Sequence, residues 1–181
     1  DPDLVEVQIE TASFYYQCEL NYPKALQILN GLQSKFPKND RLYLLVGAVY
    51  RRMEEFEKSL EHLENAIKLN PTSWNHRLDA GGTLNILRRY PKAKEQFETA
   101  IDLNPSEGLC YYYLGLTYFS TGKFEKAKQL MMSNQTLDHP GINSLWSQSE
   151  VIQRNYIEAI SILVQSSHTV WDHQFVYEPK P

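Results

Sequence analysis

The sequence lacks an apolar run long enough to cross a bilayer. Its longest run, LYLLVGAVY at residues 42–50, is far shorter than the roughly 20 residues of a membrane-spanning helix. The N-terminal stretch DPDLVEVQIE has no Met, no basic flank and no apolar signal core, so we expect an artificial start or a processed end. We therefore predict no membrane partner. The sequence does not specify a compartment, and the cytoplasm is favoured.

A strong net charge is missing as well. The 18 Lys and Arg against 22 Asp and Glu give a formal net charge of -4, which leaves no broad positive field for a phosphate backbone. Nucleic acid is therefore not expected as a partner.

Cysteine is scarce. Cys18 and Cys110 have no CxxC or Cys/His cluster around them, so we expect both to act as small apolar side chains in the packing rather than as reactive thiols.

Signatures of catalysis are also absent. The sequence contains no GxGxxG, GxxxxGK[ST], HExxH or GxSxG motif. The glycines of DAGGTL, residues 79–84, fall inside a helical pattern, where backbone amides are already bonded, so we interpret them as packing positions. The histidines of HTVWDH, residues 168–173, have no spacing typical of zinc. We predict that the chain is not an enzyme and holds no cofactor and no metal.

What the sequence does have is a period of 34 residues. Prolines recur at this spacing, at Pro37, Pro71 and Pro105, and a fourth follows one residue late, at Pro140. Aromatic residues keep the period and extend it into a shortened fifth unit, at Tyr22, Phe56, Tyr90, Phe124 and Tyr156. Small residues follow three positions later, at Ala25, Ser59, Ala93, Ala127 and Ala159. A period this strict indicates an array of one structural unit.

Each unit has the pattern of a helical hairpin. Apolar residues fall at helical spacing in YLLVGAVY and again in FEKSLEHLENAI, with a short polar break between them. Pro23 and Pro91 fall where a second helix begins, and Ser73 and Ser106 are predicted N-caps of the next first helix. Glycines at one repeat position are predicted to let the two helices of a hairpin approach closely, at Gly47, Gly81 and Gly115. A hairpin cannot cover its own apolar face, so we expect the units to stack into a superhelix.

The 34-residue unit YLLVGAVY…FEKSLEHLENAIKLNP resembles the tetratricopeptide repeat family. The resemblance implies an all-α fold, a right-handed superhelix (α-solenoid) of stacked antiparallel helical hairpins. Four regular units and a degenerate fifth make up a repeat domain over residues 1–167, at about 6–39, 40–73, 74–107, 108–141 and 142–167. Ser13 and Leu84 stand where the family has glycine and tyrosine, and both changes are conservative in volume.

Residues 168–181 are predicted to form a non-helical C-terminal tail. Pro179 and Pro181 rule out a continuing helix, while Trp171 and Phe175 are apolar. The tail either caps the last unit or occupies a groove, its own or that of a neighbour, in which case it would produce a homo-oligomer.

The resemblance places the first helix of each unit on the concave inner surface. Positions of these helices that are not needed for packing are the predicted partner-binding residues: Phe14, Gln17, Arg41, Leu44, Ala48, Arg51, Arg52, Asn75, Leu78, Asn85, Tyr112, Leu116 and Phe119. We expect Arg51 and Arg52 to meet acidic groups of an extended or helical segment. Asn75 or Asn85 is expected to bind its backbone. Closure of the superhelix or the tail could instead cover this apolar strip.

Family members that bind the C-terminal carboxylate of heat-shock chaperones carry KxxxN in the first unit and KxxxR in the third. This chain has Glu10 and Phe14, and Asn75 and Asp79, at those places, so such a carboxylate clamp is not expected. The resemblance therefore implies a non-catalytic adaptor or scaffold that binds a peptide or helix of a partner protein. Two alternatives remain open: an escort chaperone for an aggregation-prone client, and an interaction domain attached to a larger enzyme.

Overall fold

The computed structural model describes residues 2–134, with side chains from residue 4, and within this range every regular element is a helix. The helices are α1 Pro2–Gln17, α2 Tyr22–Lys35, α3 Asp40–Arg52, α4 Phe56–Leu69, α5 Trp74–Ile86, α6 Tyr90–Leu103, α7 Gly108–Ser120 and α8 Phe124–Ser133. The predicted all-α repeat fold is confirmed. The degenerate fifth unit and the C-terminal tail lie outside the described residues.

The eight helices form four hairpins, which we number 1 to 4 in chain order. Each hairpin joins two helices through a connection of three or four residues, so its helices run antiparallel and pack on each other. The chain divides into two compact bodies, Asp1–Pro105 and Ser106–Pro181. The N-terminal body contains hairpins 1 to 3, and the C-terminal body contains hairpin 4. None of the helices within residues 2–134 is both long and apolar enough to span a bilayer.

In the N-terminal body, successive hairpins stack through consecutive helices. Helix α2 packs on α3 and α4 packs on α5, while the first helices α1, α3 and α5 also contact one another in that order. One cluster of buried side chains joins α1, α2 and α3, formed by Ile9, Ala12, Ala25, Leu26, Leu29, Leu32, Leu42, Val46 and Val49. Neighbouring hairpins therefore share their apolar core, as the stacking argument predicts.

Glycine allows the close helix approach that the repeat pattern predicts. A Cβ atom on Gly47 of α3 would lie 2.8 Å from Cγ of Leu63 and 3.2 Å from the carbonyl oxygen of Ser59, both on α4. A Cβ atom on Gly81 of α5 would lie 2.5 Å from Cε1 of Phe97 on α6. Any side chain at these two positions would have to push the helices apart.

Most of the predicted helix starts are confirmed. Pro23 and Pro91 occupy the first turn of α2 and α6, where a missing N–H costs little, and the side chain of Ser73 accepts a hydrogen bond from the backbone N–H of His76 at 3.4 Å. The prediction for Ser106 is wrong, because Glu107 caps α7 and accepts from the N–H of Leu109 at 3.2 Å. The capping residue is always the second one after the closing proline, so the repeat register selects Glu107.

The turn of every hairpin contains one residue in the left-handed region. These residues are 34 positions apart, with φ of 52° at Leu20, 62° at Glu54, 56° at Arg88 and 70° at Gly122. In hairpins 2 to 4 the next residue donates its N–H back to the last turn of the first helix, at 2.8 to 2.9 Å, as in Glu55 to the carbonyl of Tyr50. This is the Schellman arrangement, which satisfies carbonyl groups at a helix end.

The two cysteines differ in environment. Cys110 in α7 is buried, and burial raises the pKa of its thiol to about 12, so it acts as the predicted apolar filler. Cys18 is exposed just beyond α1, so the filler prediction is wrong there.

Candidate partner-binding face

The first helices of the N-terminal body lie side by side, and their outward surface carries most of the predicted partner-binding residues. We call the exposed side of α1, α3 and α5 the first-helix face. On α3 it is formed by Arg41, Leu44, Ala48 and Arg51, which share one side of the helix at spacings of three and four. The two arginines at the ends of this row connect α3 to its neighbours, one on each side.

Arg41 joins α3 to α1. Its Nη1 atom lies 2.6 Å from Oε2 of Glu6, and its Nη2 atom lies 2.6 Å from Oε1 of Glu10. Two carboxylates one helical turn apart therefore share one guanidinium. The three side chains remain well exposed, so the pairing orients them more than it stabilises the fold.

Arg51 joins α3 to α5. Its Nη2 atom donates to Oδ1 of Asp79 at 2.6 Å, and its Nη1 atom donates to the Asp79 backbone carbonyl at 3.3 Å. The guanidinium passes over Gly82, where an added Cβ would lie 3.6 Å from Nη1. The prediction that Arg51 meets the acidic groups of a partner must therefore account for the carboxylate already bound to it within the chain.

The remaining predicted residues differ in how much surface they offer. Phe14 is 51% exposed, and the side chains of Gln17, Arg52 and Asn75 are exposed as well. Leu44, Ala48 and Asn85 are half-buried. Leu78 is only 6% exposed, so it supports helix packing and presents little surface to a partner.

Three predicted residues belong to the C-terminal body, where they line α7. Tyr112, Leu116 and Phe119 are half-buried and pack against Met131 of α8. Phe119 also makes an edge-to-face contact with Phe124, with ring centroids 5.2 Å apart. These side chains contribute to the packing of hairpin 4 as well as to its surface.

Sequence reasoning missed part of the apolar surface of α1. Leu4 is 58% exposed and Val7 is 60% exposed, and with Thr11 and Phe14 they follow one side of the helix. Glu6, Val7, Glu10, Thr11 and Phe14 line a shallow depression. The spacing of three, four and three residues was the available signal, but α1 has a second apolar side, and the sequence alone does not show which side is buried.

A polar junction braces hairpins 2 and 3. The buried His76 of α5 places Nε2 2.8 Å from Oδ2 of Asp40 at the start of α3, and Asn70 donates to the same oxygen at 2.9 Å. Burial opposes ionisation of Asp40, but the hydrogen bonds from His76 and Asn70 outweigh it and lower the pKa of the carboxyl group. The buried His76 thus takes a hydrogen-bond partner from the preceding hairpin.

A second histidine lies inside hairpin 2. The ring of His62 on α4 packs between Tyr43 and Tyr50 of α3, with centroids 6.0 Å and 5.5 Å away. Burial lowers the pKa of His62, and the carboxylate of Glu61 opposes part of this shift. Among the side chains of residues 4–134, no three His, Cys, Asp or Glu are placed together so that they could hold a metal ion.

The helices define a helical-repeat fold, an architecture that offers extended surfaces for protein–protein interaction. Two family models described as "Tetratricopeptide repeat" match the sequence, one over residues 40–73 and one over residues 97–129. The first match coincides with the predicted second unit. The second begins within α6 and ends in α8. The chain therefore contains tetratricopeptide repeats in these two segments.

Several solved structures share the fold. PilF from Pseudomonas aeruginosa superimposes with a TM-score of 0.81 at 18% identity, covering 93% of this chain and 78% of that one. MamA from Desulfovibrio magneticus RS-1 gives 0.75 at 16% identity, covering 88% and 91%. YrrB, described as a tetratricopeptide repeat protein with an unusual peptide-binding site, gives 0.67 at 17% identity, covering 89% and 86%. No curated protein matches the sequence significantly.

Proposed function

We propose that the chain is a non-catalytic adaptor that holds an extended or helical segment of a partner protein on the first-helix face. The observation that carries the proposal is that three ion-paired helices, α1, α3 and α5, present exposed apolar surface. Ion pairs of Arg41 and Arg51 link α3 to α1 and to α5, while Phe14 on α1 stays exposed. A surface that is ordered before binding loses less conformational entropy when a partner docks.

The relatives support the same class of function. Repeats of this kind offer extended surfaces to other proteins, and YrrB is described as having a peptide-binding site. The comparisons do not favour the escort-chaperone alternative. Arg52, Asn75 and Asn85 supply polar groups at the edges of the apolar surface, as peptide recognition requires.

Site-specific photo-crosslinking tests the proposal. A photoreactive phenylalanine analogue replaces Gln17 or Asn75 on the first-helix face, and in matched controls it replaces Glu61 or Glu95, which are exposed on the second helices α4 and α6. After irradiation in extract of the native source, we expect the same partner protein to be attached at Gln17 and Asn75 and at neither control. Attachment at the two controls alone, or equally at all four positions, would contradict the proposal.

A further inference from the structure

Helix α1 has two apolar sides, and only one of them packs in a core formed by the residues that the structure describes. Ile9 and Ala12 are fully buried in the core shared with α2 and α3. Leu4, Val7, Thr11 and Phe14 lie on a different side, and we call these four residues the α1 stripe. Their spacing of three, four and three is that of a seam between two packed helices. Most of the stripe is exposed to water.

Within the N-terminal body, the stripe is peculiar to the first hairpin. Thirty-four residues later, the positions of Val7 and Phe14 are occupied by Arg41 and Ala48, and after a further repeat by Asn75 and Gly82. The other two first helices of the N-terminal body therefore carry polar or small residues where α1 carries large apolar ones. A contiguous exposed apolar surface on one element indicates a site that another molecule covers.

The border of the stripe is acidic. Residues 1–23 contain no Lys or Arg, and their five acids are Asp1, Asp3, Glu6, Glu10 and Glu19. Glu6 and Glu10 share the single guanidinium of Arg41, so one net negative charge remains along that edge. Their side chains stay 57% and 66% exposed, which leaves carboxylate oxygens available to a further cation.

We propose that the α1 stripe docks a basic amphipathic helix of the partner protein. This inference rests on the proposed function and names the kind of segment that the first-helix face receives. The partner helix presents apolar residues at spacings of three and four to Val7 and Phe14, with Lys or Arg on its flanks toward Glu6 and Glu10. A second copy of this chain fits poorly, because its own α1 would bring the same acidic border against Glu10.

The dimensions agree with a helix as the occupant. From Leu4 to Phe14 the stripe extends over ten residues, or about 15 Å at 1.5 Å per residue. A partner helix of about three turns covers that length and places three or four apolar side chains on it. The carboxylates along one edge also fix the orientation of the partner through the positions of its basic residues.

Binding of designed peptides tests the inference. The probe is a 15-residue helical peptide, about four turns, with Leu at the seam positions and Lys on the flanks, and its counterpart has Glu in place of every Lys. By fluorescence anisotropy with the full chain, we expect the Lys peptide to bind at least about tenfold more tightly than the Glu peptide. Raising the salt concentration should weaken only the Lys peptide.

Variants locate the binding. The double substitution Val7→Ser and Phe14→Ser should weaken the Lys peptide at least about tenfold, because it removes both apolar anchors. The matched control, Leu69→Ser and Leu103→Ser, removes exposed apolar side chains from the second helices α4 and α6 and should change affinity by less than about twofold. Glu6→Gln with Glu10→Gln should reduce both the affinity and its salt dependence.

Several results would overturn the inference. One is that the Lys peptide fails to bind or binds no better than the Glu peptide, and another is that it binds the Val7→Ser, Phe14→Ser variant undiminished. A dimer in sedimentation that disappears in that variant would assign the stripe to a second copy. In each of these cases, partner crosslinks at Gln17 and Asn75 would still support the proposed function, so the failure of one proposal is distinguishable from failure of the other.

Discussion

Arg51 of α3 and Asp79 of α5 form an ion pair at 2.6 Å that joins two first helices across hairpins 2 and 3. The side chains are only 20% and 22% exposed, and the arginine also donates to the Asp79 carbonyl. Asp79 stands at one of the places where carboxylate-clamp members of the family carry a basic residue. Here that place holds an acid that binds a neighbouring helix, so an anionic partner group would have to displace Asp79 to reach Arg51.

The pair should contribute measurably to stability. Asp79→Asn leaves the arginine partly buried without its counter-charge, and we expect the free energy of unfolding to fall by about 1–2 kcal/mol in urea denaturation. The control is Glu98→Gln, which breaks an exposed pair with Lys94 within α6 and should cost less than about 0.5 kcal/mol. An equal effect of the two substitutions would show that the Arg51 pair is no more than a surface contact.

The adjacent glycines of α5 should respond oppositely to alanine. Gly81→Ala forces a methyl group into the buried ring of Phe97 and should destabilise the protein by about 1–3 kcal/mol. Gly82→Ala meets only Nη1 of Arg51 at 3.6 Å, and it should stabilise the helix by about 0.5–1 kcal/mol because alanine favours a helix interior. Thermal unfolding followed by circular dichroism measures both, and effects of the same sign would contradict the packing described for Phe97.

The left-handed turn positions should prefer glycine. Glu54→Gly relieves a side chain held at φ 62°, and we expect a stabilisation of about 0.5–1 kcal/mol after the entropy cost of glycine. Gly122→Ala places a Cβ at φ 70° and should destabilise by about 1 kcal/mol or more. Gly31→Ala is the control, because Gly31 lies exposed inside α2 with open space around its Cβ position, and it should stabilise the protein. The midpoints of urea denaturation measure the stability of the three variants, and a higher midpoint for Gly122→Ala than for the unchanged chain would contradict the prediction.

His62 should make stability depend on pH. Its pKa is lower in the folded chain than the ordinary value of 6.5, so the unfolded chain binds the proton more readily. The free energy of unfolding should therefore be highest above that ordinary value and decrease as the pH falls through it. His62→Gln keeps a polar side chain that cannot be protonated and should flatten this part of the profile between pH 5 and 8. An unchanged slope in the variant would assign the dependence to other groups.

The periodic features of the sequence predicted the fold well, because one structural cause repeats four times. Proline, aromatic and small residues each mark the same register, and the helix starts at Tyr22 and Tyr90 and the close approach at Gly47 follow from it. A local rule applied without the register was wrong at Ser106, where a good capping residue stands one position too early. In a repeat protein, the position within the repeat thus predicts a helix start better than the capping preference of a residue does.

The site was harder to predict because exposure depends on neighbours. Leu78 occupies a surface position in the repeat pattern but is covered in the stacked hairpins, whereas Val7 was passed over and is exposed. The ion pairs of Arg41 and Arg51 cross between hairpins, so no helical spacing within one segment reveals them. Of the four left-handed turn residues within residues 2–134, only Gly122 is a glycine, so only there does the residue type indicate the backbone conformation.

Hairpins 2 to 4 share one turn geometry, so the turn can be exchanged between them. The same pair of backbone hydrogen bonds forms whether the left-handed residue is Glu54, Arg88 or Gly122. The geometry of the turn therefore depends on the position in the repeat and not on the residue type. An engineer can therefore graft residues 121–123 onto hairpins 2 and 3, or duplicate a whole hairpin with its own bend, and keep the helices on either side in their original alignment.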